Sequence, residues 1–446
     1  MPDYLIRDAL VVNEGDEFYA SVYIRKGHIE FIGGQIPKIK SDFIEIDANG
    51  KWLFPGVIDV HVHFREPGLT HKADIFSESH AAVAGGVTSF IDMPNTQPKT
   101  LSIPLLKQKF SLASVSSRAN YSFYLGASND NLEEMKKAKE NGAPGIKVFL
   151  GASTGNMLVD NESMIEKIFT EVPGIITVHA ENEDIIQKNL KSYKQKYSSA
   201  IPFSAHADIR SAQACFEASQ YAIRLALKYG TRLHLAHVST LDELQLLDHQ
   251  TDVAKKAITS ETTVHHLLYD TSDYELFQGK IKCNPSIKGK EHKTALLKGL
   301  KDGVLDMIAT DHAPHTLDEK MLPYPDCPSG IPFIQFSLPG LLEFYRKGIF
   351  TLPEIVRFTS HHPALAFKIK DRGFIREGYW ADLVLVSPDK TTEVNKENIL
   401  SKCGWSPLEG QVLQSSVFAT FVSGNLSFLN LANVPFFNGK QLEFND

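Results

Sequence analysis

Phe54-Pro-Gly-Val-Ile-Asp-Val-His-Val-His63 is a short apolar run that closes on two histidines one residue apart. Residues i and i+2 of a β-strand point to the same face, so His61 and His63 can reach one metal ion from one strand end. Val57, Ile58, Val60 and Val62 around them suit a strand buried on both faces, as in a parallel sheet. A hydrogen-bonded pair of core histidines would read the same way, so the weight of the pair depends on further ligands at later strand ends.

Beyond this run, the middle of the chain alternates strand and helix. Candidate strands fall at 57–62, 88–92, 121–125, 146–149, 175–179, 232–237, 257–262 and 306–310. Helical stretches separate most of them, and a longer helical insert, about 183–229, comes after the fifth. Repeated strand-then-helix order predicts a parallel sheet, and eight units predict a closed (β/α)8 TIM-like barrel. An open doubly wound sheet is the alternative, but no Gly-x-Gly-x-x-Gly follows a strand to support it. Residues 1–54 and 370–446 share a different texture of short alternating strands with Gly-containing turns. They predict one β-rich accessory domain built by both termini around a barrel at 55–369.

Composition narrows the classes. The 446 residues suit a barrel plus a smaller domain. A net charge of −7 offers no electrostatic case for nucleic acid or an anionic membrane surface. No apolar stretch approaches the ~20 residues of a membrane span, and no secretory signal pattern opens the chain. The four cysteines are scattered, with no Cys-x-x-Cys pair, which fits a reducing cytoplasm.

Catalytic groups of such barrels sit at the C-terminal strand ends. His61 and His63 end the first candidate strand, Lys147 lies within the fourth, His179 ends the fifth, His237 the sixth, and Asp311 follows the eighth. Taken singly, each has a bland reading. Lys147 can snorkel to the rim, Asp311 can cap a turn, and a histidine can be a hydrogen-bonded core or surface group, as expected for His80, His206, His234 and His249. Jointly these readings are poor, because structural residues need not all fall at one end of successive strands. Four histidines and a carboxylate exceed the needs of one catalytic zinc and suit two metals. An ammonium has only donors, so Lys147 serves as a ligand only if chemically altered.

Seven segments together resemble the amidohydrolase superfamily: His61-Val-His-Phe-Arg-Glu-Pro-Gly, Gly85-Gly-Val-Thr, Met93-Pro-Asn-Thr, Gly145-Ile-Lys, Val178-His-Ala-Glu-Asn, Ala236-His-Val-Ser and Thr310-Asp-His-Ala-Pro-His. Within it they are similar to the dihydroorotase family, of the class grouped with hydantoinase and allantoinase. The resemblance implies a β-sandwich for the terminal segments. It also implies two zinc ions bridged by an N6-carboxylated Lys147, with His61, His63 and Asp311 on the first ion and His179 and His237 on the second. Asp311 would be the catalytic base and acid. The substrates would be L-dihydroorotate and N-carbamoyl-L-aspartate, in pyrimidine biosynthesis, and the assembly a homodimer.

The family places Arg65, Asn95 and His315 on the substrate carboxylate, where Arg65 offers a planar fork; its bland alternative is a surface salt bridge. Asn284, in Cys283-Asn-Pro-Ser-Ile-Lys, matches a substrate-contacting loop, though Ser286 and Lys288 depart from the commoner Pro and Arg. Ser153 and Thr154, beyond Lys147, are candidate lid residues. His265 and His266 read as support for the rim. The rival readings are an allantoinase, hydantoinase or dihydropyrimidinase, and an inactive scaffold.

Overall fold

The computed structural model describes residues 2–36, 38–150, 157–198, 200–430 and 432–445. Eight strands form the barrel: Val57–Val62, Val87–Asp92, Asn120–Phe123, Gly145–Leu150, Ile175–Ala180, Arg232–Leu235, Ile258–Thr263 and Met307–Ala309. The third resumes past Tyr124 as Leu125–Gly126, which pairs with the fourth. All neighbouring pairs are parallel. The ring closes where His63 N donates to His312 O at 2.8 Å. Every residue of the first, second, fourth and fifth strands is buried, because barrel interior and outer helices cover both faces.

The helical insert after the fifth strand is two long helices, Glu183–Tyr197 and Ala212–Tyr229, with short turns between them. Asn182 and Ser211 cap them, each side chain accepting a backbone N–H of the first turn.

Both termini meet in one eight-stranded sheet. Trp52–Pro55 is its hinge, parallel to Asp3–Asn13 and antiparallel to Leu383–Ser387. Strand alternation divides these residues between two cores. Leu53, Leu383, Leu385, Ala419 and Phe421 join the sheet's own cluster. Phe54, Val384, Val386 and Val422 join the barrel cluster instead. The segment that ends the chain lies against the barrel, where Tyr121 N donates to Lys440 O at 3.0 Å and Leu442 N to Tyr121 O at 2.9 Å. No described helix is long and apolar enough to cross a membrane.

Candidate metal and substrate site

Five barrel strands deliver the expected ligands to one rim. His61 lies on the first, with His63 just past its end; Lys147 lies on the fourth and His179 on the fifth. His237 and Asp311 follow the sixth and eighth. His61 Nε2 and His63 Nε2 stand 3.4 and 2.9 Å from Asp311 Oδ1. The other ring nitrogens are engaged: His61 Nδ1 donates to Glu261, and His63 Nδ1 donates to Asn95 Oδ1 at 2.7 Å. With Nδ1 engaged in this way, both Nε2 atoms turn toward one carboxylate oxygen. Ligand atoms of all three residues lie within 4.8 Å of one another, an electron-rich cluster that a cation would satisfy.

A second pair stands beside it. His179 Nδ1 and His237 Nε2 face each other at 2.9 Å, and the His61 and His237 rings are 5.1 Å apart. Glu181 holds His179 Nε2 at 2.9 Å and is itself gripped by Arg210. Among the described residues, His237 Nδ1 and Lys147 Nζ are buried without a hydrogen-bond partner. Burial pushes the Lys147 ammonium down to about 8, against the opposing pull of Glu261 and Asp311. Such orphaned groups are costly unless something completes them.

The backbone is bent to make this arrangement. Arg65, His237 and Asp311 have φ of 68°, 40° and 45°. Non-glycine residues rarely adopt this left-handed region, and each costs on the order of 1–3 kcal/mol. Glu261 offsets part of that cost by accepting the His237 backbone N–H at 3.2 Å.

Arg65, Asn95, Asn284 and His315 line the same cleft, of about 710 Å³, as His61, Lys147, His179, His237 and Asp311. Arg65 is buried, donates through Nε to Pro314 O at 3.0 Å, and has no carboxylate partner among the described residues. Its neighbour Glu66 is occupied elsewhere, accepting the Ile75 N–H at 2.9 Å. Asn284 Oδ1 accepts from Ser329 Oγ at 2.9 Å and lies 3.2 Å from His206 Nε2. His315 Nε2 lies 3.1 Å from Ser329 O and 3.1 Å from an Arg65 Nη. Gly330 lets this loop close in, since a Cβ there would meet Ala313 O at 2.4 Å and His315 Cδ2 at 2.9 Å. The candidate lid residues Ser153 and Thr154 lie outside the described residues.

Several supporting residues escape a reading of the sequence. Glu261 holds His61, His234 and the His237 amide together. Burial opposes its charge, but His61 and His234 outweigh that and keep its carboxyl well below the ordinary range. Glu181 does the same for His179. His206 is a hydrogen-bonded core group, as expected, yet its partner is the Asn284 loop. The available signal is a carboxylate inside a barrel strand, which is rare unless paired. His265, His266 and Cys283 form a second close group. His266 is hydrogen-bonded to Thr263 and Pro285 O, as rim support would be.

The amidohydrolase family pattern matches residues 52–426, and the chain belongs to that family. Within it, the chain is 33% identical to the dihydroorotase of Methanosarcina acetivorans over 421 residues, covering 92% of this chain and 89% of that one. It is also 33% identical to the dihydroorotase of Pyrococcus furiosus over 423 residues, covering 93% and 92%. Among solved structures, the L-hydantoinase (dihydropyrimidinase) of Arthrobacter aurescens superposes with a TM-score of 0.93 at 26% identity, covering 99% of this chain and 100% of that one. The family and these relatives imply a metal cofactor. The converging ligand atoms and, among the described residues, the unpartnered His237 Nδ1 and Lys147 Nζ fit one.

Proposed function

We propose that this chain is a dihydroorotase, interconverting N-carbamoyl-L-aspartate and L-dihydroorotate with two zinc ions and a carboxylated Lys147. One observation carries the substrate class: a buried guanidinium without a carboxylate partner among the described residues, Arg65, in the cleft that His61, Lys147, His179, His237 and Asp311 also line. An anionic ligand supplies what the protein withholds. Asn95, whose Oδ1 is held by His63, keeps its amide donors for the same carboxylate. The dihydroorotase relatives support this choice of ring.

His61, His63 and Asp311 would hold one ion, and His179 and His237 the other. When bound, the metal pair lowers the pKa of an attacking water and polarises the ring carbonyl. Lys147 would supply a further anionic ligand: its neutral amine would add to carbon dioxide, lose one proton and become a carbamate. A buried Nζ with a lowered pKa and no hydrogen-bond partner among the described residues suits that reaction. In ring opening, an Asp311 carboxylate oxygen takes a proton from the attacking water and delivers it to the leaving ring nitrogen. Ring closure runs the same transfers backwards.

The likeness to L-hydantoinase favours a second reading, a hydantoin-type ring, but such rings lack the carboxylate that Arg65 awaits. The test is hydrolysis of dihydroorotate and hydantoin by purified protein, with metal content read on the same sample. Dihydroorotate turnover with about two zinc per chain supports the proposal. Turnover of hydantoin alone would replace it, and about one zinc with dihydroorotate turnover would remove the bridging role of Lys147. The family resemblance supports a homodimer, which sedimentation would test. Four free cysteines among the described residues support a reducing compartment such as the cytoplasm.

A further inference from the structure

Lys72 sits on the loop after the first barrel strand and lines the cleft. Its Nζ is 3.0 Å from His315 Nδ1 and 2.8 Å from Glu319 Oε1. We propose that Lys72 is a positioning residue that locks His315 as its Nε2–H tautomer, so that Nε2 cannot accept from Arg65 and the Arg65 Nη is left for the substrate carboxylate. The inference rests on the reading of Arg65 as the anchor of the carboxylate site.

Donors and acceptors decide where the proton sits. An ammonium can only donate, so His315 Nδ1 facing it must accept. A neutral imidazole has one N–H, which is then on Nε2. That N–H donates to Ser329 O at 3.1 Å, so Nε2 offers no lone pair to the Arg65 Nη 3.1 Å away. The ring is kept neutral by burial and by the surrounding cations Arg65, Lys72 and Lys320. Among the described residues, Glu319 is the acid that faces it, its Oε2 3.5 Å from His315 Nδ1. Lys72 stands between them electrostatically.

Lys72 is held in turn. Glu319 closes a capping box with Thr316, accepting the Thr316 N–H at 3.0 Å. The helix start therefore fixes Glu319, which fixes Lys72, which fixes the His315 proton. Without Lys72, Glu319 would draw the imidazole proton to Nδ1. Nε2 would then be a bare acceptor 3.1 Å from an Arg65 Nη. Arg65 would donate to His315 rather than to substrate, and the carboxylate would lose a charged donor from one substitution.

The test pairs a spectrum with kinetics, on the metal-loaded full chain as parent, K72M and K72R. Nitrogen-15 signals of the histidine rings, with His315 assigned by its loss in H315Q, report the tautomer. Parent and K72R should show Nε2–H, and K72M a shift toward Nδ1–H. The KM for L-dihydroorotate should rise about tenfold or more in K72M, the scale of a lost charge-assisted hydrogen bond, with kcat nearly unchanged and K72R restoring most of it. An unchanged tautomer in K72M overturns the proposal, and so does a changed tautomer with an unchanged KM. A tautomer that follows Lys72 in a parent that opens no dihydroorotate overturns the substrate reading and leaves the lock standing.

Discussion

Asp59 Oδ1 accepts the backbone N–H of Thr310 at 3.2 Å across the seam where the barrel closes. The same oxygen accepts the His61 N–H at 3.2 Å, and Oδ2 takes the Thr310 hydroxyl at 2.5 Å. One buried carboxylate thus sets the spacing between the strand that carries His61 and the one that leads to Asp311. Asp59→Ala leaves three buried donors without an acceptor. We expect the metal-free chain to lose about 2–4 kcal/mol in urea unfolding. An unchanged midpoint would show that the seam holds without it.

Glu261→Gln keeps the volume and removes the charge between His61 and His234. His61 then loses the anion that orients its Nδ1–H. Metal affinity should fall about 10–100-fold, the usual scale for such supporting partners. Competition with a chromophoric chelator measures it. Parental affinity would mean that Glu261 serves the barrel core alone.

Asp311→Asn keeps a ligand oxygen but gives up the proton acceptor. At saturating dihydroorotate, kcat should drop by about 10²–10⁴, the range for a lost general base. Metal content must be read alongside, because Asp311 also belongs to the proposed ligand set. Near-parental turnover with full metal would remove the assignment.

Arg65→Met should separate charged from uncharged rings. The KM for dihydroorotate should rise roughly tenfold to a hundredfold, as for a lost charged hydrogen-bonding group. Any slow side activity on hydantoin should be unaffected. Equal damage to both would place Arg65 in structure rather than in recognition.

The thiols should be sluggish. Burial pushes Cys215 up to about 12 and Cys403 to about 11, and raises Cys283 and Cys327 as well. The thiolate is the nucleophile, so all four should resist iodoacetamide at neutral pH until the chain unfolds. Intact-mass labelling with and without urea decides; rapid modification of the folded protein would contradict it.

Much of the barrel is legible in the sequence. The apolar run gives the first strand, Val57–Val62, in full, and similar runs give the other seven near their observed bounds. Strand-end position alone brings His61, His63, His179, His237 and Asp311 to one rim, because a closed parallel barrel leaves its C-terminal ends no other place. The residues that escape share one property. Glu261, Glu181, Asp59 and Lys72 act on side chains or amides brought near by tertiary folding. Period-two patterning tells which face a residue takes, not which partner it meets there. The broken third strand, with Tyr124 between Asn120–Phe123 and Leu125–Gly126, looks like one piece in the sequence, since a local interruption leaves the apolar pattern intact.

The pairing of Trp52–Pro55 with Leu383–Ser387 also sets a timetable. Phe54 meets its partner Val384 only after every barrel strand has been synthesised. Until then, a strand meant for two cores has neither completed, and its apolar side chains stand open to any neighbour. Such long-range pairing slows folding and prolongs aggregation-prone intermediates. A nascent chain stalled before Leu383 should therefore be a strong client for chaperones, and one released just after Ser387 a weaker one.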